Sequence, residues 1–418
     1  MLTIAFIISA LQLSATASPS PPRHGVQHVS LTRRQAPNAT ADRVTAHMLA
    51  TLLKHDVGFD AFRNNTGTAH PLDVGEVQVV HGIAKRAPSS SSAVLTSDGG
   101  SLWTVSAGVG TTGPNTQEQF PMTGIDTASA TALFVNVACT TTPCQNIHRF
   151  NPTISTTSTD LHKQFAYNGA QISGNQYSDT ATIAGLSATG LVMAVANSFP
   201  PTFSDYTTPP DALMGVAFPA ISVTKSQPFP QTLNAQGSLT DPVFAMSLNG
   251  ANAELTLGGV DSTRYAGSIQ YTPVTTAGFW QINFDSAQAN GQPSVGKTEA
   301  ILDTGSREVI GDAASVKKLY ATIPGSQTTT PGANNLYTYP CDTTPAVSIT
   351  IAGLAIPFSA DSFNLGPVGS TNQCLGAIQT APKSTPPSRY WTLGDAWLQN
   401  AYMVYNFGEK KVGVAIPS

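Results

Sequence analysis

Charge is scarce in this chain of 418 residues: Asp, Glu, Lys and Arg together make up 11% of it. That argues against helices with charged outer faces. Gly, Pro, Ser and Thr are abundant instead, with 35 Gly and 30 Pro, which suits short strands and frequent turns. The formal net charge is −4, and no nucleic-acid partner is expected. After the N-terminus no apolar run is long enough to span a bilayer. The last residues, Val412 to Ser418, are too short for a lipid-anchor signal, so no membrane association is expected. Only four Cys occur, Cys139, Cys144, Cys341 and Cys374, without a paired C-x-x-C. Beyond residue 86 only His148 and His162 remain. Zinc therefore lacks ligands, and no metal or cofactor is expected.

What is present begins with a leader. Leu2 to Leu13 is mostly apolar, and Ala15-Thr16-Ala17 offers a small-x-small cleavage site, so residues 1–17 read as a secretory signal peptide. Secretion would put the four Cys in an oxidising compartment. Four Cys permit three pairings, of which the sequential one is the simplest.

Residues 18–86 differ from the rest. They hold eight Lys and Arg against five Asp and Glu, a net of +3, and six of the eight His. Residues 87–418 hold twelve against nineteen, a net of −7. The break falls at Lys85-Arg86, ahead of the linker-like Ala87-Pro88-Ser89-Ser90-Ser91-Ser92. This marks 18–86 as a basic propeptide resting on an acidic mature protein. Acid would protonate its His residues and neutralise the carboxylates opposite them, loosening the pair. Both glycosylation sequons, Asn38-Ala39-Thr40 and Asn64-Asn65-Thr66, fall in this segment.

From Val94 onward short β-like runs alternate with turn residues. Leu102–Val109, Thr131–Val137, Ala253–Leu257, Val347–Ile351 and Met403–Tyr405 read as strands, and Asp312–Tyr320 is the best helix candidate. Clear helical periodicity is otherwise rare. The class is all-β or mostly β.

One stretch organises the rest. Ile301-Leu302-Asp303-Thr304-Gly305-Ser306 runs an apolar strand into a carboxylate on a tight turn. Asp-Thr-Gly alone is a common surface turn. An altered copy stands 177 residues earlier, at Ile125-Asp126-Thr127-Ala128-Ser129. A short apolar run into Gly follows each copy: Leu213-Met214-Gly215 and Trp391-Thr392-Leu393-Gly394. Between the first copy and its Gly lies Phe165-Ala166-Tyr167-Asn168-Gly169, which reads as a hairpin turning at Asn-Gly. Two carboxylates brought close cannot both ionise easily, so they share a proton and serve together as acid and base. Such a pair can hydrolyse a peptide bond with water near pH ~3–5.

In these motifs the chain resembles the pepsin-like aspartic endopeptidases (peptidase A1), most closely the secreted fungal enzymes of the polyporopepsin type. Further matching stretches are Pro242-Val243-Phe244, Leu255 to Asp261, Phe279-Trp280-Gln281-Ile282 and Val412-Gly413-Val414-Ala415. The resemblance covers about 87–418. It implies a bilobed β fold with lobes 87–270 and 271–418 and a cleft between them. It implies catalytic Asp126 and Asp303, with Thr127 and Thr304 knitting the two loops together. Tyr167 would be the flap tyrosine over a bound peptide, and Phe134 lies near the usual flap-supporting Trp. The Cys spacing resembles two of the family's disulfides, Cys139–Cys144 and Cys341–Cys374.

The implied protein is a secreted monomer acting on peptides or proteins. The departures imply an alternative, a catalytically impaired member that binds peptides without efficient turnover. Ala128 replaces a Gly that packs beneath the carboxylates, where a methyl could tilt Asp126 or resist a positive φ. Its counterpart in the second motif, Gly305, is kept. Asn168 and Ala170-Gln171 alter the flap, and Arg307-Glu308 puts two charges beside the pair. Lys54 is read as a solvated lysine rather than a plug for the pair.

Overall fold

A computed structural model describes residues 26–33, 40–73, 102–113, 116–141, 144, 147–167, 172–199, 210–249, 253–329, 336–382 and 389–418. The signal segment, the Lys85-Arg86 pair and the Asn168-Gly169 turn lie outside them. The fold is mostly β and bilobed, and the described residues form five sheets.

Two of the sheets share one plan. In the first, the strand Thr116–Asp126 pairs in parallel with Ala212–Gly215. That strand is antiparallel to Ala132–Val135, which is in turn parallel to Leu186–Ser198. In the second, Thr298–Leu302 pairs in parallel with Trp391–Leu393. That strand is antiparallel to Val309–Gly311, which is parallel to Ile378–Thr380. The duplicated motif therefore sits in a duplicated topology. The eight-stranded first sheet continues through the long hairpin of Thr159–Tyr167 and Ile172–Ile183.

A six-stranded sheet binds the halves. It runs in the order Gln27–Ser30, Glu254–Leu257, Val243–Ser247, Tyr402–Asn406, Lys411–Pro417, Tyr265–Pro273. The core beside it is aromatic: Trp280 packs on Phe218, Phe244 and Tyr405 at centroid separations of 4.5, 5.7 and 5.1 Å.

The expected strands are present; Val347–Ile351, for example, forms with those same ends. The candidate at 312–320 is the helix Ala313–Ala321, capped by the Asp312 side chain. The largest departure is a 26-residue helix, α1 (Ala41–Thr66), in a chain whose sequence shows little helical periodicity. Its ends are well made: the Thr40 hydroxyl accepts from the Arg43 N–H, and Gly67 closes it at φ 76°. Its buried face carries Val44, His47, Met48, Thr51, Lys54, His55, Gly58, Phe59 and Phe62. The polar members interrupt the apolar stripe by which an amphipathic helix is recognised. They are polar because of what the helix covers.

Candidate active site

The two Asp-Thr loops rest on matching glycines. A Cβ on Gly215 would come within 2.5 Å of the Thr131 nitrogen, and one on Gly394 within 2.3 Å of the Glu308 carbonyl oxygen. Each loop can fold over its neighbouring strand only because that position lacks a side chain. Asp126 and Asp303 are thereby presented at the ends of their strands, both buried.

The loops hold each other through reciprocal bonds. The Thr304 hydroxyl donates to the Ile125 carbonyl (2.8 Å) and accepts from the Thr127 N–H (3.0 Å). The Thr127 hydroxyl donates to the Leu302 carbonyl (2.9 Å) and accepts from the Thr304 N–H (3.0 Å). All four bonds are buried, where an unmatched partner is costly. The inner carboxylate oxygens are treated alike: the Ala128 N–H donates to Asp126 Oδ1 (2.8 Å) and the Gly305 N–H to Asp303 Oδ1 (2.9 Å).

Here one concern over Ala128, a strained backbone angle, is corrected. Ala128 is not among the residues of positive φ, and its buried methyl belongs to the main core. The intolerant position is Gly305. A Cβ there would stand 2.5 Å from Lys54 Nζ and 2.9 Å from Asp126 Oδ2.

The expectation of a solvated Lys54 is also overturned. Lys54 is buried, and its ammonium donates to Asp126 Oδ1 and Oδ2 at 3.2 and 3.0 Å and to Asp303 Oδ1 at 2.6 Å. One cation thus sits on both carboxylates. A lysine can bear such burial only because two acceptors compensate it. His55, the next residue, places Nε2 2.9 Å from Asp303 Oδ2 and Nδ1 3.2 Å from the Tyr390 hydroxyl. One turn back, the Thr51 hydroxyl donates to Ser306 Oγ at 3.1 Å.

The electrostatics separate the two acids. Burial alone would raise Asp303, but Lys54 and His55 outweigh it and hold the carboxyl well below the usual range. Asp126 is shifted up: burial, helped by the Asp303 charge, exceeds what Lys54 and the Ala128 N–H return. On Lys54 burial acts downward, yet the two carboxylates hold the amine above its ordinary value. The two acids are thus displaced in opposite directions, Asp303 toward its ionised form and Asp126 toward its protonated one.

Tyr167 ends the first strand of the hairpin and is buried. Burial first, then the Asp126 charge, pushes its hydroxyl up, and Ser129 bonds it. Phe134 is core, packed on Phe120 and Phe150 at 5.1 and 6.0 Å. Disulfides join Cys139 to Cys144 and Cys341 to Cys374. Among the described residues one group has metal-ligand spacing, His28, Glu254 and Asp261. Arg264 already supplies the cation there, 2.9 Å from Glu254 and 3.6 Å from Asp261.

Thr51, His55 and Tyr390 belong to no motif in the sequence. A usable signal existed, because residues 47, 51, 54 and 55 share one helical face within the basic, His-rich segment.

A sequence profile of the eukaryotic aspartyl protease family matches residues 108–416. An aspartic protease of Phaffia rhodozyma is 35% identical over 344 residues, covering 79% of this chain and 80% of that protein. Pepsin A of Suncus murinus is 29% identical and that of Sus scrofa 28% identical, over 316 and 313 residues. Each alignment covers 73% of this chain and 80% of the relative.

Proposed function

This chain belongs to the eukaryotic aspartyl protease family and is an aspartic-type endopeptidase; from that premise we propose that Asp126 and Asp303 are its catalytic pair, masked by α1 until acid releases it. The observation that carries the reading is the single Lys54 ammonium shared by both carboxylates at 3.0 and 2.6 Å. That ammonium stands where a nucleophilic water would be held.

With α1 gone, a water bridges the two acids. The ionised carboxylate takes a proton from this water as its oxygen attacks the peptide carbonyl carbon, and the other carboxyl gives its proton to the carbonyl oxygen. Collapse of the tetrahedral adduct breaks the C–N bond: the leaving nitrogen receives the proton first taken from water, and an adduct hydroxyl returns its proton to the other carboxylate as the new C=O forms. The pair returns to its one-proton state, which sets a working range near pH ~3–5. The Ala128 and Gly305 N–H groups hold the inner oxygens in place throughout.

The remaining readings follow from this role. Substrates are peptides and proteins, and the enzyme acts as a monomer. The apolar N-terminal run and the two disulfides support a secreted enzyme. Residues 18–86 are its propeptide, and the family match beginning only at 108 fits that division. No observation favours a member without turnover, since Ala128 is accommodated and its N–H serves Asp126 as Gly305 serves Asp303.

The test is acid treatment of the full chain, then incubation with denatured protein at about pH 3–5, with and without the transition-state analogue pepstatin. Cleavage that pepstatin blocks is expected. An intact fold with no turnover after loss of α1 would sink the proposal.

A further inference from the structure

The face of α1 that covers the pair continues past it. His47, Thr51, Lys54 and His55 recur at helical spacing, so one stripe follows the loop from Asp303 to Glu308. The contacts of Lys54, His55 and Thr51 fall on Asp126, Asp303 and Ser306. The last falls on a carboxylate that the mechanism does not use: His47 Nδ1 lies 3.7 Å from Glu308 Oε1.

Glu308 is fully buried, and among the described residues neither of its carboxylate oxygens has a hydrogen-bond partner. His47 Nε2 lacks one as well. Burying a carboxylate without donors is costly, so a merely structural position would ordinarily be apolar. Among the described residues the one basic group paired with it belongs to α1, the element that must leave before a substrate can reach Asp126 and Asp303. Its departure removes the imidazole and leaves that carboxylate with no basic partner among the described residues.

We infer that Glu308 is a specificity-determining residue that receives a cationic side chain (Lys, Arg or protonated His) of the peptide substrate, in the place His47 holds in this structure. Its place along the substrate follows from the helix. Seven residues separate His47 from Lys54, about 10 Å at about 1.5 Å per residue. An extended peptide covers that distance in about three residues. The cation therefore sits about three residues from the scissile bond. The inference rests on the reading of Asp126 and Asp303 as the catalytic pair.

The test has two arms. In the first, acid-treated protein is assayed at about pH 5, the upper end of the pair's working range, on peptides scanning Lys, Arg and Leu through every position within four of the scissile bond. A preference of about tenfold or more for the cation is expected about three residues out, the worth of one charge-assisted bond. In Glu308→Gln the ratio should fall to about one. No cationic preference at any position, or a preference that survives Glu308→Gln, overturns the inference. Failure to cleave any peptide counts against the catalytic reading instead.

The second arm needs no turnover. Thermal unfolding of the full chain at neutral pH is compared for His47→Arg and His47→Leu, each with and without Glu308→Gln. His47→Leu should lower the melting temperature and His47→Arg should not, with the difference vanishing beside Glu308→Gln. Equal effects of the two replacements, whatever stands at 308, would also overturn it.

Discussion

A lysine ammonium between two carboxylates, sealed from water, compensates charges that the cleft could not otherwise hold. Lys54→Met removes it and leaves Asp126 and Asp303 facing each other. Docking of α1 should then weaken by about 3 kcal/mol or more at neutral pH, the usual cost of deleting one partner of a buried pair. Hydrogen exchange of the α1 amides reads this directly, and unchanged protection would contradict it. The glycines make a second prediction. Gly305→Ala places a methyl 2.9 Å from Asp126 Oδ2, so kcat/KM of the acid-treated protein should fall by about 100-fold, as for misplacement by about 1 Å. Ala128→Gly, at the matching place in the first loop, should change it far less. The aspartates were legible because their motifs are contiguous and occur twice. Lys54 was not, because its partners lie 72 and 249 residues away in the chain and nothing beside it marks it as buried.

The element whose behaviour matters most is α1. Its docking responds to pH through groups that pull in different directions. The His70 ring sits among Phe59, Phe62 and Phe279 at 5.1, 4.8 and 5.6 Å and accepts from the Leu72 N–H. Burial lowers its pKa from 6.5 to about 4, against the pull of Asp73. A released His70 therefore binds a proton that the docked one refuses, and docking weakens as pH falls from about 6.5 to about 4. Burial, with Asp60 and Asp73, raises Asp56 from 3.8 to about 7, which weakens docking as pH rises across that range. The two oppose each other over their common window. Asp303 acts below it: its contribution is present above the ordinary 3.8 and lost as pH falls further. Release should set in below about pH 4. Asp56→Asn, which mimics the protonated acid, should strengthen docking between about pH 4 and 7 and leave it unchanged below, whereas His70→Phe should move release to lower pH. Limited proteolysis of α1 across pH 3–7 measures both, and unchanged protection in either variant would contradict this account. The strands were legible from their alternation and turn residues. The helix was hidden because it packs on a polar site, so its inward stripe includes His47, Thr51, Lys54 and His55 rather than apolar residues alone.

At the scale of the molecule, two lobes of one topology each supply a carboxylate, and reciprocal threonine bonds set the distance between them. This arrangement was legible in outline, since the repeated Asp-Thr and apolar-Gly runs require two similar halves. The N-terminal strand Gln27–Ser30, paired with Glu254–Leu257, was not. Pairing across more than 200 residues leaves no local trace in either strand. The central claim is that Asp126 and Asp303 carry the chemistry once α1 has gone. Its most direct test is the initial rate of peptide hydrolysis at about pH 4 by wild type and Asp303→Asn, after the same acid treatment and with loss of α1 verified by mass spectrometry. The account predicts a rate lower by about 100-fold or more in Asp303→Asn, the scale of one general acid–base group. Equal rates in the two proteins would contradict it.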